Sequence, residues 1–340
     1  MDEKPGKILV IQLRRIGDVI LATPAVRALR RQFPDAKIDF LAEPACGAIL
    51  AGNPRINEVL SYDPAHAAAW LWKIRRRGYD WVIDFLGNPR TCTICAFSGA
   101  KLRAGPGDVY WKFGYNHVFA TFREPGYAAL EKMLRLRELG VEINGSDHLP
   151  EIFPSEADRR WADEELSKAG LSPNGRPLLM LAPASRKITR QYPEEHFVRA
   201  VQLINETLPC RIAVLWGPGE EGLAANIAAR CGGVKAPHTD TLGRAAALVG
   251  KCDLLLTNCN GPKHMAVAQG RPTLTIHSSS DPRAWTPPDN PLHRYVRRED
   301  LDCVPCYRNE CTRGLECLNG LPPERVAETA LQMLKYYKKV

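Results

Sequence analysis

The sequence predicts an α/β protein made of two doubly wound domains, each a parallel sheet with helices on its faces. Three observations lead there. The chain has 340 residues, more than one hydrophobic core usually organises, so two domains of about 150 residues each are expected. Short apolar runs suited to buried strands alternate with amphipathic helical segments. The strand, polar turn and helix that open the chain recur near its middle.

Residues 7–13 form an apolar run of the kind a doubly buried parallel strand needs, followed by a polar turn and a helical pattern over 18–32. Further buried strands are expected at 38–42 and 81–85. The joint between the halves falls near 150–177. There Ser155 suits a helix cap, the helix runs to about Ala169, and Gly170 stops it. The second half opens with a strand at 178–182, a polar loop to 192, and a helix from Pro193, where a missing N–H costs nothing. Strands at 212–216, 254–257 and 273–277 follow, with helices at 220–231 and 242–249. A last helix is expected from Pro322 to about Lys339. The domains therefore read 1–160, 170–320 and a C-terminal helix at 321–340. In such sheets the ligand crevice lies outside the carboxyl ends of the strands, and two facing domains put it between them.

Composition narrows the class. With 45% hydrophobic and 25% charged residues, the chain is neither disordered nor fibrous. No apolar stretch approaches the roughly 18 residues of a membrane span. The start, Met1-Asp2-Glu3-Lys4, puts acids where a signal peptide is basic, so a cytoplasmic protein is expected. Eleven cysteines, scattered until the last four, do not form a disulfide framework. The net charge is +8, with 21 Lys+Arg against 16 Asp+Glu in residues 1–150 and 25 against 22 in the rest. The run Arg75-Arg76-Arg77 is either a solvated face or a surface for the phosphates and carboxylates of a substrate or bilayer. No nucleic-acid partner is expected.

Four stretches carry candidate chemistry. The loop Arg14-Arg15-Ile16-Gly17-Asp18 joins the first strand to the first helix and lacks G-x-G-x-x-G, so a dinucleotide fingerprint is absent. Asp18 reads either as a first-turn acid favoured by the helix dipole or as a catalytic carboxylate at the crevice mouth. In Thr257-Asn258-Cys259-Asn260-Gly261-Pro262-Lys263-His264, a strand ends and a helix opens, which suits a diphosphate. Lys263 and His264 either add charge and hydrogen bonds there or are a solvated lysine and a packed histidine. The loops 184–190, basic and ending at Arg190, and 216–221, with Glu220, face the same way. Last, Cys303, Cys306, Cys311 and Cys317 suit a structural tetrahedral zinc. Their spacing is tighter than the usual pair-spacer-pair pattern, and reduced free cysteines are the other reading. Cys92 and Cys95 read as helix packing.

The segment Ile16 to Val26, IGDVILATPAV, closely resembles the start of glycosyltransferase family 9, the heptosyltransferases of lipopolysaccharide core synthesis. The resemblance continues through Tyr79 to Asn88, Ser98 to Lys101, Gln191 to Glu195, the Glu220 loop, the Gly261-Pro262-x-His264 turn, the cysteine cluster and Pro323 to Val326. It implies a GT-B architecture of two Rossmann-like domains facing each other across a cleft, acceptor mainly on the first and nucleotide mainly on the second. It implies inverting transfer of heptose from ADP-L-glycero-D-manno-heptose to a lipid-linked anionic saccharide, the lipopolysaccharide inner core, with no cofactor or metal required for catalysis. By the same resemblance Asp18 is the general base, Arg190 stands at a phosphate-contacting lysine position, and Glu220 meets the ribose. Asn260, Gly261, Pro262, Lys263 and His264 form the donor turn. Arg14, Arg15 and Arg90 are the candidate acceptor contacts, and peripheral contact with the cytoplasmic face of the inner membrane is consistent with a lipid-linked acceptor. One departure stands out: the family's Asp-Ser-Gly or Asp-Thr-Gly is Cys259-Asn260-Gly261 here, and Ser278 replaces a nearby glycine. That keeps open a transferase for another nucleotide sugar, or a weakened homologue that binds core intermediates. A nucleotide-sugar epimerase and a nicotinamide dehydrogenase fit less well.

Overall fold

The computed structural model describes residues 4–337. The acids Asp2 and Glu3 and the expected helix end at 338–339 lie outside the described residues. The chain divides into two compact units, Met1–Phe153 and Pro154–Val340.

The first unit is built on β1 (Lys7–Ile11), β2 (Lys37–Ala42), β3 (Glu58–Ser61), β4 (Trp81–Asp84), β5 (Leu102–Pro106) and β6 (His117–Phe119). They pair in parallel in the order β3-β2-β1-β4-β5-β6. Val10 of β1 sits beside Phe40 on one side and Ile83 on the other. Ile8 to Ile11 are fully buried, because helices cover both faces of a parallel sheet and its central strands must be apolar throughout. The second unit repeats the plan with β7 (Leu178–Ala182), β8 (Arg211–Val214), β9 (Val234–Lys235), β10 (Leu254–Asn258), β11 (Thr273–Ile276) and β12 (His293–Val296), in the order β12-β11-β10-β7-β8-β9. In each sheet the strand order reverses beside the unit's first strand, between β1 and β4 and between β7 and β10. Loops at the carboxyl ends of those pairs diverge and leave a crevice.

The structure departs from the sequence expectation in three places. The helix expected over 18–32 is two, Ile16–Ile20 and Thr23–Gln32. Pro24 cannot donate to the carbonyl four residues back, and its ring crowds that turn. The Thr23 hydroxyl donates to that same carbonyl, Ile20 O, at 2.7 Å. Next, the helix Glu156–Lys168, expected at the joint, belongs wholly to the second unit. Ser155 caps it, accepting from Asp158 N at 3.1 Å. It packs on helix Leu242–Val249, with Lys251 bound to Asp163 at 2.6 Å and the Arg244 guanidinium 5.0 Å from the Trp161 ring. Finally, the outer strands β3, β6, β9 and β12 and the inner strand β5 were not read from the sequence. The outer ones are short and half-exposed, and β5 (LRAGP) is poor in strand formers.

Gly105 in β5 is required by packing. A Cβ there would overlap the ring of Tyr115, which is 9% exposed. The Tyr115 hydroxyl donates to Asp84 Oδ2 at 2.7 Å. Gly105→Ala is therefore expected to destabilise the protein by about 1–3 kcal/mol, the usual cost of overpacking. A urea melt checks it; an unchanged midpoint would mean the ring moves freely.

Candidate functional site

The first unit's crevice is bordered by the loops after β1 and β4. Gln12 Nε2 donates to Arg14 O at 2.7 Å, which shapes the turn and leaves the Arg14 and Arg15 side chains exposed. The following helix brings Asp18, half-buried, to the sheet's carboxyl edge. Asp18 Oδ2 accepts from Arg15 N at 3.3 Å, beyond the normal range for an N–H···O bond. The first-turn role is thus present but weak, and among the described residues this is the carboxylate's one hydrogen bond. Arg90 is less available: Nη1 lies 3.3 Å from Glu43 Oε1 and the guanidinium 5.9 Å from the Tyr62 ring centre. Between these loops Asp84 is fully buried and accepts from Leu86 N, Gly87 N and the Tyr115 hydroxyl. Burial pushes its pKa up while those donors oppose the rise.

Sequence reasoning missed Lys132. It lies on helix Ala128–Arg137, which packs on Thr23–Gln32, and is only 8% exposed. Burial pushes its ammonium pKa down, and the Asp18 carboxylate is first among the groups holding it up. One lysine in an ordinary amphipathic helix gives no signal in sequence.

The second unit's crevice lies between the loops after β7 and β10, which hydrogen bonds knit together. Asn258 Oδ1 accepts from Tyr192 N at 3.2 Å, and its Nδ2 donates to Pro183 O. Asn260 caps helix Gly261–Val267. Its Oδ1 accepts from the Thr257 hydroxyl at 2.9 Å and from Lys263 N at 3.4 Å; its Nδ2 donates to Ala182 O and Ala184 O, both at 3.0 Å. Both amide protons are used on the neighbouring loop, so Asn260 shapes the turn. Above Gly261 there is open space: a Cβ would meet nothing within 4 Å. His264 is 3% exposed, with its ring edge to the Trp285 ring at 6.0 Å.

Arg190 comes from the loop after β7 and is half-buried, its Nε enclosed with no hydrogen-bond partner. An enclosed donor left unpaired costs free energy that an anionic acceptor would recover. Glu220, after β8, turns Oε2 back onto Gly217 N at 2.9 Å, closing its own loop. Ser278 is buried and donates to Thr189 O at 2.6 Å.

Lys263 corrects the sequence reading, in both its solvated and its ligand-touching forms. The side chain is fully buried and runs inward, where Nζ donates to Thr286 Oγ1 at 2.9 Å and to His277 Nε2 at 3.2 Å. His277 Nδ1 is 3.0 Å from Ser280 Oγ. Burial pushes the Lys263 pKa down to about 8, opposed by Cys259. Burial, with Lys263 adding to it, holds His277 well below its usual range and His293 down at about 3, so both rings are neutral. The lysine is a cation beneath the turn, able to act on a ligand through its charge and not by contact.

Cys303, Cys306, Cys311 and Cys317 line one small cavity with Thr189 and Ser279, and all four are free thiols. Burial, and then the other three sulfurs, raise the Cys317 pKa. The donor set suits zinc, but among the described residues no three His, Cys, Asp or Glu side chains are grouped to hold an ion. Cys92 and Cys95 are buried on helix Pro89–Ser98, as packing residues are.

Comparison with known proteins adds to this geometry. The family model described as glycosyltransferase family 9 (heptosyltransferase) matches residues 68–315. Lipopolysaccharide heptosyltransferase 2 of Escherichia coli (strain K12) is 25% identical over 86% of this chain and 88% of its own length. Among solved structures, a glycosyl transferase family 9 protein from Veillonella parvula superposes with a TM-score of 0.83 at 22% identity, covering 97% of both chains. The E. coli heptosyltransferase WaaC with ADP-2-deoxy-2-fluoro heptose gives 0.70 at 18% identity, covering 96% of this chain and 99% of that one. At those identities the two structures speak for the fold alone.

Proposed function

The chain belongs to glycosyltransferase family 9, a glycosyltransferase of GT-B type and heptosyltransferase kind, and from that premise we propose that it transfers heptose from ADP-L-glycero-D-manno-heptose to the lipopolysaccharide inner core with inversion. The observation that carries the reading is the family match together with Asp18 and Arg190, each at the carboxyl edge where its own sheet reverses. An acceptor hydroxyl gives its proton to the Asp18 carboxylate as its oxygen bonds to the anomeric carbon. The bond from that carbon to the phosphate oxygen breaks on the opposite face, and ADP leaves with the electron pair. Arg190 and the backbone N–H groups near Gly261 take up the charge that develops on the diphosphate. Glu220 accepts from the ribose hydroxyls. Arg14 and Arg15 meet the anionic acceptor, with Arg90 beside them once Glu43 yields. Asn260 holds the turn, and no metal takes part in the transfer.

Lys263 supplies charge from below, and this has a signature. Its ammonium is charged below about pH 8 and neutral above, with Cys259, His277 and His293 the titratable groups around it. ADP affinity should therefore fall several-fold between pH 7 and 9.5, and Lys263→Met should flatten that dependence. A pH-independent affinity in the unsubstituted protein would remove Lys263 from the account.

Calorimetric titration with ADP and ADP-heptose tests the donor assignment. Saturable binding of both is expected, and its absence overturns the assignment. The reading of a weakened homologue is favoured by Cys259, 8% exposed where the family carries a carboxylate. It requires binding of donor or acceptor without turnover.

A further inference from the structure

One face of the first sheet is covered by helices Ala67–Arg77 and Pro89–Ser98, packed side by side, and by the loop 107–116 between β5 and β6. The loop is fastened to the second helix, with Gly114 N donating to Cys92 Sγ at 3.1 Å. A Cβ on Gly114 would overlap the Cys92 carbonyl. The two helices meet where Arg75 lies against Gly99.

The outer side of this layer carries large aromatic rings in water. Trp72 is 70% exposed, Phe97 58%, Tyr110 87%, Trp111 44% and Phe113 63%. The rings in the loop sit edge to face, Tyr110 on Trp111 at 5.1 Å and Trp111 on Phe113 at 6.4 Å. The same layer is cationic: residues 67–77 and 89–113 hold eight Lys or Arg and one acid, Asp108. Arg77 and Arg90 are bound to carboxylates, while Lys73, Arg76 and Lys112 are exposed in the same segments as the rings.

Exposed apolar groups gathered on one face mark a binding surface. The buried centre of a protein interface is depleted in lysine. Aromatic rings interleaved with Lys and Arg instead match the headgroup zone of an anionic bilayer, where rings lodge at the boundary and cations meet phosphates. We propose that Trp72, Phe97, Tyr110, Trp111 and Phe113, with Lys73, Arg76 and Lys112, dock this protein on the surface of an anionic lipid bilayer. The choice of a lipid surface over a nucleic acid rests on the proposed lipid-linked acceptor. Docking is peripheral: among the described residues no helix is long and apolar enough to cross a membrane.

The test is co-sedimentation with acceptor-free vesicles, of phosphatidylcholine alone and with phosphatidylglycerol added. The unsubstituted protein should bind only the anionic vesicles and release at high salt. The double variant Trp111→Ser with Phe113→Ser should weaken binding by at least about tenfold, given the apolar area withdrawn. Lys73→Glu with Arg76→Glu should do the same, and both variants should keep their melting temperature and their transfer to detergent-dispersed acceptor. Equal binding to neutral vesicles, variants that bind like the parent, or a dimer that the aromatic variant abolishes would each overturn the proposal. Vesicle binding by a protein that transfers nothing would leave docking standing and sink the transferase reading instead.

Discussion

Asp18→Ala will lose transfer by on the order of a hundred- to ten-thousand-fold, the range a positioned general base supplies, while affinity for ADP-heptose stays nearly unchanged. A base acts in the transition state, so its removal lowers kcat and kcat/KM together and leaves donor binding alone. The substitution also removes the weak 3.3 Å bond from Arg15 N at the helix start. Asp18→Asn separates the two effects. Its amide oxygen can still accept from Arg15 N, but the side chain cannot take a proton at neutral pH. An Asn variant that folds like the parent and is as inactive as the Ala variant assigns the loss to proton transfer. Turnover preserved in Asp18→Asn would reduce Asp18 to a first-turn acid.

Arg190→Ala will weaken donor binding by roughly ten- to a hundredfold. Hydrogen bonds from a charged group contribute about 1.5–3 kcal/mol, and each 1.4 kcal/mol is a factor of about ten in Kd. The side chain is half-buried and its Nε has no partner without ligand, so little is lost from the free protein and the effect appears on binding. Arg190→Lys keeps the charge and loses the planar fork, and should fall between the two. Calorimetry with ADP reads both variants; an unaltered Kd for Arg190→Ala would remove it from the phosphate site.

What the sequence disclosed follows the physics of burial. Strands buried on both faces, such as β1, β7 and β10, are continuous apolar runs and stand out. Outer strands such as β3 and β12 bury only part of their residues and look like loop. The crevice loops could be found because a strand–turn–helix junction is recognisable and its place at the carboxyl edge follows from topology. Side-chain direction could not. Lys263 reads as a solvated lysine or one facing a ligand, and only three-dimensional packing turns it inward onto His277 and Thr286. Asn260 was legible as part of the turn but not as a tie between two loops, since its acceptors, Ala182 O and Ala184 O, lie 78 and 76 residues away. Lys132 and the aromatic face at Tyr110 to Phe113 come from helix packing and a fastened loop, neither of which has a sequence signature. The cysteine spacing was legible too, and the four side chains line one small cavity.

The central claim is transfer of a sugar from a nucleotide diphosphate with Asp18 as the base. Its most direct test is mass spectrometry of the purified protein with a truncated inner-core acceptor and a panel of nucleotide sugars. ADP-heptose is expected to add one heptose mass to the acceptor, other donors little or nothing, and Asp18→Asn to yield none. An acceptor left unmodified by every donor, or equal product from the Asp18→Asn protein, would contradict it.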